Sequence, residues 1–564
     1  MLSDMLYSIT RPNNYQDSLR LMRLSNALTS IDGVEKVSVM MGTEMNKEIL
    51  RNAGLADANL ADAKPTDLLI MADVANEEPG KTLIARVDEF LSEQVSVSSH
   101  SRLRSARSLE RAMSIAGEAN LALISIPGEY VAAEATRLLD QGVNLFIFSD
   151  NVSIDDEIAL KARARERGLL VMGPDCGTGI IGGLPLGFAN AVHAGNIGLA
   201  GASGTGLQEV IVQIDRLRGG VSQALGLGGR DLSARVGGIT CLQALRALDA
   251  DDATDVIILV SKPPAASVRD DVMSVAHTLS KPVVAVLLGE HPGTQADGNL
   301  RYARTLDEAA RISVELAGTR ASRRVMLQPG QRWIKALYTG GTFASEAAML
   351  LRESLGAAES PGRDAGYLLK AGGHEVIDLG DDAYTRGRPH PMIDASSRNE
   401  RIAAVFGDPE TAVLLLDVVL GYGSSPDPAG TLAPLVAAGL AELRAAGRDL
   451  AVVASVCGTE QDPQVLSTQT LALEEAGVTV MPSNAAAVRY ALSILGRRAT
   501  QAPPAGEAPE PVRRLLADPP RIINIGLREF AETLLERGAQ VVQYDWAPVA
   551  GGDPKLQALI EALR

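Results

Sequence analysis

A chain of 564 residues is too long for one hydrophobic core, so about three to five domains are expected. Its 46% hydrophobic and 22% charged residues give the balance of a globular protein with ample material for buried sheets. A formal net charge of -16 repels a phosphate backbone and 3% aromatic residues leave few stacking platforms, which together exclude nucleic acid as a partner.

The opening MLSDMLYSITRPNN has no basic stretch ahead of an apolar core, so no secretory signal is expected. Residues 1–97 read as a small α+β module of ferredoxin-like or ACT-like type. There YQDSLRLMRLSNALTSIDGVEKVSVMM gives a helix, an Asp-Gly turn and a strand, while DLLIMADV and TLIARVDEFLSEQ add another strand and helix. Over 98–192 the alternation lengthens, with buried-type strands in LALISIP, LFIFSD and LLVMGPDC. That rhythm predicts a parallel sheet with helices on both faces. A second α/β set covers 193–318 through NIGLAGASG, VSQALGLGG, DVIILVSKPP and PVVAVLLGE, and ends at the basic linker AGTRASRRVMLQPG. A third, 331–499, runs from WIKALYTGGTFASEAAMLL through AVLLLDVVLGYG and DLAVVASVCGTE to VTVMPSN. Residues 500–520 are dense in proline and read as an extended linker. The tail, 521–564, is one strand–helix–strand, too small to hold a core, and is expected to dock on this chain or a partner. Apolar runs such as VIILV are strand-sized, far short of a membrane span. The three cysteines, Cys176, Cys241 and Cys457, form no metal-type pair. The expectation is a reduced, cytoplasmic, soluble protein with no metal site and no membrane partner.

The stretch GASGTGLQEV at 201–210 follows the apolar run NIGLA, so a strand breaks on glycines and a helix begins. The first N–H groups of a helix lack intrahelical partners and sit at the positive end of its dipole. Glycines admit a ligand to those amides, and Ser203 and Thr205 add hydroxyls, so an anion is the expected guest; simple capping by Ser203 is the alternative. Thr205 stands where a hydrolase elbow needs glycine, and no GK[ST] follows, so neither a nucleophile elbow nor a P-loop is expected. The feature recurs. ASGTGLQE and TGGTFASE match at Gly204, Thr205, Glu209 and Gly341, Thr342, Glu346, each set after a strand. Two positive helix ends could then flank one anionic group, which favours the anion reading.

These segments resemble the succinyl-CoA synthetase superfamily and, within it, the FdrA family. GPDCGTG at 173–179 is similar to the turn that closes the CoA-binding domain of the synthetase alpha subunit. NIGLAGASGTGLQE resembles the segment that opens its ligase domain, and WIKALYTGGTFASEA resembles the opening of a second ligase domain. CGTEQDPQ and RPHPMIDASSR are similar to FdrA-family features. The resemblance implies a multidomain α/β chain, with a Rossmann-like CoA-binding-type domain, two flavodoxin-like ligase-type domains and the small N-terminal α+β module. It also implies that the two helix starts hold a phosphate.

The departures point away from acyl-CoA synthesis. Where the synthetases carry a GHAG-type loop with their phosphohistidine, this chain reads GEHPGTQADGNL; His193 lies in an HAG that precedes its strand, and His291 is followed by Pro292. Lys262 stands where the family places its histidine-orienting glutamate, and no ATP-grasp domain is visible. The FdrA resemblance implies a subunit of an oxamate carbamoyltransferase of anaerobic allantoin breakdown, converting oxalurate and phosphate into oxamate and carbamoyl phosphate. Phosphate is then a substrate held between the two helix starts, no cofactor is firmly expected, and companion subunits of a hetero-oligomer are implied. The alternatives are an ADP-forming acyl-CoA synthetase component, with CoA or nucleotide bound, and a non-catalytic scaffold or regulatory subunit.

The anion-cradle candidates are Ser203, Gly204, Thr205, Gly206, Gly340, Gly341 and Thr342, for which capping is the alternative. Lys262 could pair an anion or sit solvated in a loop. In RPHPMIDASSR, Arg388, Asp394 and Arg398 carry charges suited to a dianionic substrate and His390 could serve as acid or base, against an idle surface loop. Asp175, Cys176, Gly177 and Thr178 stand at a strand end, where open sheets bind ligands, though Cys176 also reads as a small buried residue. Cys457, Gly458 and Thr459 form a second such end, with Glu460 a candidate general base. Tyr544 and Trp546 read as packing anchors of the tail.

Overall fold

The computed structural model describes residues 5–548 except 13, 15, 17, 56–59, 61, 65–66, 98–102, 291–295, 320–321, 323–324, 357–365 and 500–507. His291 therefore lies outside the described residues. The chain forms two compact units, Met1–Asp156 with Pro520–Arg564, and Glu157–Pro519.

The first unit opens with an antiparallel sheet of Met5–Arg11, Leu68–Val74 and Val34–Met41, in that spatial order. Leu68–Val74 is central and almost wholly buried because both faces are covered. Leu24, Leu28, Leu83 and Val87, from helices Ser18–Thr29 and Glu77–Val97, pack on Ile70 and Ala72, while Leu50 and Leu55 pack on Leu69 and Met71.

The same unit holds a parallel sheet in the order Arg104–Ala106, Gln540–Tyr544, Arg521–Gly526, Leu121–Ser125, Asn144–Ile147. The tail docks on this chain, as two internal strands of a sheet whose other members lie some four hundred residues away. Counted from Arg521, the order is 3-2-1-4-5, the doubly wound arrangement reached by a circularly permuted connection. Against the expected domain 98–192 without the tail, the tail strands pair with Arg104–Ala106 and Leu121–Ser125, and residues from Glu157 onward belong to the second unit. Ile522, Ile523 and Ile525 are fully buried there, which explains the uninterrupted apolar run RIINIG.

The second unit carries two sheets of one topology. In the first lobe the parallel strands Val221–Gly226, Ala194–Gly201, Val256–Ser261, Val283–Leu287 and Leu300–Tyr302 lie in the chain order 2-1-3-4-5. In the second lobe His374–Asp378, Trp333–Tyr338, Thr411–Val419, Ala451–Cys457 and Thr479–Met481 repeat that order. Both are flavodoxin-like. Gly204 and Gly341 each begin the helix after the first strand of their lobe, so the sequence repeat is a repeat of architecture.

Two expectations are corrected. The hairpin Thr178–Ile181 and Leu184–Gly187, assigned above to the CoA-binding-type segment, extends the first-lobe sheet, with Ile180 paired to Ala224. The proline-rich linker contains the helix Glu510–Ala517: Pro511 falls in its first turn, where no intrahelical N–H is needed, and Val512, Leu515 and Leu516 are buried. The chain thus has the expected α/β multidomain fold, with a small α+β N-terminal module. No helix among the described residues is long and apolar enough to cross a membrane.

Candidate functional site

The first group stands at the carboxyl edge of the first lobe. Ser203 caps the helix Gly204–Arg216, its Oγ accepting the Gly206 N–H at 3.2 Å. Capping holds, but it uses only one of the free amides. Gly177 and Thr178 face that helix start: a Cβ on Gly204 would stand 3.7 Å from Thr178 Oγ1 and 3.9 Å from Gly177 Cα. Thr178 is 1% exposed, yet its hydroxyl has no hydrogen-bond partner. A buried hydroxyl left unpaired costs about 1–3 kcal/mol. Lys262 is exposed and follows the end of the neighbouring strand Val256–Ser261, two residues beyond Val260, the register partner of Gly201, so it stands at the same edge of the sheet. Thr205 is exposed at the helix start.

Asp175 adopts a left-handed conformation (φ 54°) and is exposed, and its Oδ2 lies 3.7 Å from the Cβ position of Gly229. Cys176 is a buried packing residue: its Sγ lies where a Cβ on Gly226 would meet it at 2.3 Å, and burial pushes its thiol up to about 12. Burial raises Cys241 as well, whereas Cys457 is exposed. Iodoacetamide at pH 8 is therefore expected to label Cys457 alone in the folded protein and all three cysteines in urea, read by peptide mass spectrometry. Labelling of Cys176 in the native protein would refute its burial.

The second group stands at the carboxyl edge of the second lobe, and its charges are arranged differently from the expectation. Asp417, fully buried at the end of the Thr411–Val419 strand, fills the crevice where strand order reverses. Its carboxylate accepts the Thr339 N–H at 2.7 Å, the Gly340 N–H at 2.8 Å and the Thr339 hydroxyl at 3.0 Å. A Cβ on Gly341 would stand 2.6 Å from Asp378 Oδ2. Of the expected socket formed by Gly340, Gly341 and Thr342, the Gly340 amide is thus already engaged by Asp417, and Asp378 stands beside Gly341.

Arg398 is likewise not a substrate clamp. It is 3% exposed, its Nη1 donates to the Asp417 carbonyl at 2.7 Å, and it lies 3.7 Å from Asp417 Oδ1. Burial disfavours both charges, lowering the Arg398 pKa and raising that of Asp417, and their pairing opposes both shifts. Arg398→Met should leave Asp417 buried and uncompensated, at a cost of about 3–5 kcal/mol, and Arg398→Met with Asp417→Asn should recover part of it. Urea denaturation measures both; a single variant as stable as the parent would refute the pairing.

His390 is half-buried and its Nδ1 accepts the Met392 N–H at 3.2 Å, which leaves the ring proton of the neutral form on Nε2. A Cβ on Gly380 would stand 2.8 Å from His390 Nε2 and 3.1 Å from Asp378 Oδ1, so the absent side chain lets imidazole and carboxylate share that space. Asp378 and Gly380 were missed in the sequence; the signal was LGDD closing a strand beside RPHP. Arg388 is exposed, and Asp394 caps its own turn, accepting the Ser396 N–H at 3.0 Å and the Ser396 hydroxyl at 2.5 Å. Thr459 closes a turn on Asp462 through N–H and hydroxyl. Glu460 is exposed and accepts the Ser467 hydroxyl at 2.8 Å. Gly458 packs on Leu420, where a Cβ would come within 2.5 Å. Gly458, Thr459 and Glu460 serve local structure at the strand end. Trp546 packs on Tyr130, ring centroids 5.2 Å apart, and donates to Glu134; Tyr544 is buried.

A multidomain α/β chain with paired flavodoxin-like lobes has a fold of the kind found in CoA-binding and CoA-ligase domains, and comparison with known proteins agrees. A profile described as CoA-ligase matches residues 337–494, one described as CoA binding domain matches 192–289, and one described as AllF, heavy metal-associated domain matches 5–107. The chain belongs to the family of the uncharacterized protein YahF of Escherichia coli (strain K12), with 40% identity over 496 residues that span 84% of this chain and 96% of that protein. It is also similar to the succinate–CoA ligase [ADP-forming] subunit alpha 2 of Archaeoglobus fulgidus, 26% identical over 37% of this chain and 74% of that subunit. The dinucleotide-forming acetyl-coenzyme A synthetase 1 of Ca. Korarchaeum cryptofilum, solved with phosphate and ADP, aligns at 16% identity with a TM-score of 0.47, over 68% of this chain and 83% of that chain.

The name of the N-terminal match implies a heavy metal, and the residues do not fit one. No cysteine falls between 5 and 107, so no thiolate site can form, and no metal-binding group of His, Cys, Asp or Glu occurs among the described residues.

Proposed function

We propose that this chain is a subunit of an enzyme that handles an acyl-type phosphate, the phosphate held at the start of the helix Gly204–Arg216. The observation that supports this is the unpartnered Thr178 hydroxyl buried beside Gly204, with Lys262 flanking the same edge. Amides at a helix start, one hydroxyl and a nearby ammonium suit a phosphate dianion. The reading assigns the anion to the first lobe, since at the second helix start Asp417 engages the Gly340 amide and the Asp378 carboxylate stands beside Gly341. His390, facing Asp378, is the group at the second edge able to move a proton.

The finer reading is carbamoyl transfer, as the FdrA resemblance implies. A phosphate oxygen attacks the terminal carbamoyl carbon of oxalurate. The bond from that carbon to the internal nitrogen breaks, and the proton lost by phosphate reaches that nitrogen as oxamate leaves. Positioning and stabilisation of the developing oxyanion lower the barrier. A second reading, an acid–thiol ligase component, is favoured by the CoA-ligase and CoA-binding matches; the same socket would hold the phosphate of an acyl phosphate. Both readings call for companion subunits in a hetero-oligomer.

One assay distinguishes them. The chain, purified with its co-encoded partners, is given oxalurate and inorganic phosphate in one arm, and labelled ATP, CoA and succinate in the other. Carbamoyl phosphate in the first arm supports the transferase. Acid-labile phosphohistidine or thioester in the second supports the ligase. Failure of both would leave the scaffold reading.

A further inference from the structure

The second unit contains a cavity of about 1080 Å³ that the proposed chemistry does not use. It lies at the amino edge of the first-lobe sheet: Pro282 and Asn299, which line it, immediately precede the strands Val283–Leu287 and Leu300–Tyr302. The socket at Ser203 and Lys262 is at the carboxyl edge, so the two sites are at opposite ends of the strands. The walls combine leucines, with Leu316 from one helix, Leu350 and Leu355 from the end of the helix Gly341–Leu355, and Leu492 and Leu495 from the helix Asn484–Ala499, with charged side chains that include Glu308 and Glu353 beside the arginines.

The charges in the cavity are unevenly paired. Glu315 engages Arg311 at 2.9 Å and Arg489 at 3.0 Å through separate oxygens. Among the described residues no carboxylate engages Arg301: its Nη1 donates to the Gly298 and Leu300 carbonyls at 2.9 and 2.7 Å. It is half-buried, and burial alone pulls its pKa down. A guanidinium in that position has lost water without gaining an anion, and its planar fork matches a carboxylate.

We infer that this cavity binds a small organic carboxylate with an apolar body, its carboxylate on Arg301 and its body against the leucines. The volume far exceeds what phosphate needs and suits a ligand of drug-like size. The helix Gly341–Leu355 joins this cavity to the second-lobe edge: its 15 residues span about 22 Å, with Gly341 beside Asp378 at one end and Leu350 and Leu355 in the cavity at the other. A bound carboxylate therefore stands one helix length from His390, where an effector rather than a reactant would sit.

Decanoate is the probe, titrated calorimetrically into the full-length protein. Saturable binding of one equivalent is expected, weakened about tenfold or more by Arg301→Gln and largely kept by Arg301→Lys. Leu492→Trp, which fills the cavity, should abolish it, and all three variants should melt like the parent. Decanol should bind more weakly than decanoate. Absence of saturable decanoate binding to the parent, equal affinity for decanol, or an undiminished affinity in Arg301→Gln would overturn the inference. Because the phosphate socket plays no part in the readout, failure here leaves the acyl-phosphate reading standing.

Discussion

A chain ending at Pro519 is expected to be recovered insoluble, or to melt without the transition of its first unit. The missing residues are not an appendage: Arg521–Gly526 pairs in register with Leu121–Ser125, and Gln540–Tyr544 pairs with Arg104–Ala106. Removing both strands opens a gap of two strand spacings, about 10 Å, inside a parallel sheet and exposes two unpaired edges. It also strips the Ser125 hydroxyl of its bonds with the Ile525 carbonyl at 3.2 Å and the Leu527 N–H at 2.8 Å. Truncating one fully buried isoleucine to alanine costs about 2–5 kcal/mol, and Ile522, Ile523 and Ile525 are all fully buried, so their combined loss is comparable to the whole stability of a domain, about 5–15 kcal/mol. The milder variant Ile523→Ala should lower stability by about 2–5 kcal/mol while leaving the protein soluble. Soluble yield, limited proteolysis and thermal melting read both. Adding residues 520–564 as a separate peptide should partly restore the truncated chain, and a truncated chain that folds cooperatively unaided would contradict the sheet order.

Local pattern carried much of this architecture and non-local pairing carried the rest. The matched glycines at 204 and 341 announce two lobes of one topology, because a glycine at a strand-to-helix junction reflects geometry that each lobe must repeat. The buried strands were legible because parallel strands covered on both faces are continuously apolar, as in NIGLA and VIILV. The place of the tail was not legible: nothing within RIINIG says which strand it joins, since its partner Leu121–Ser125 lies four hundred residues earlier. Asp417 left a trace that went unread. In AVLLLDVVL it is an acid within an otherwise apolar strand, and a carboxylate buried there needs a cation and several donors, which Arg398, Thr339 and Gly340 supply. The arginine assigned to substrate was the partner of that acid. The Thr178 hydroxyl is the converse case, because an unfilled hydrogen bond is a property of three-dimensional packing with no signature in sequence.

Thr178→Val is expected to weaken phosphate binding by about 10- to 100-fold without loss of stability. The substitution preserves side-chain shape and removes a hydroxyl that makes no hydrogen bond to another protein group, so no protein–protein hydrogen bond is lost on folding and the melting temperature should hold or rise. With phosphate present, the same hydroxyl would donate a charge-assisted hydrogen bond of about 1.5–3 kcal/mol, the source of the expected fold-change. Gly204→Val tests the space itself. Its nearest neighbours stand 3.7 Å or more from the new Cβ, so the helix start accepts a Cβ there, and the methyl groups add bulk beside Thr178. Phosphate-dependent turnover should fall to background in that variant with an unchanged melt. Gly341→Val differs in kind: its Cβ would come within 2.6 Å of Asp378 Oδ2, so its effect should appear in stability as well as in rate. Calorimetric titration with inorganic phosphate, beside thermal melts of the three variants, separates these outcomes. If Thr178→Val and Gly204→Val bind phosphate like the parent, the anion is held elsewhere and the acyl-phosphate reading loses its support.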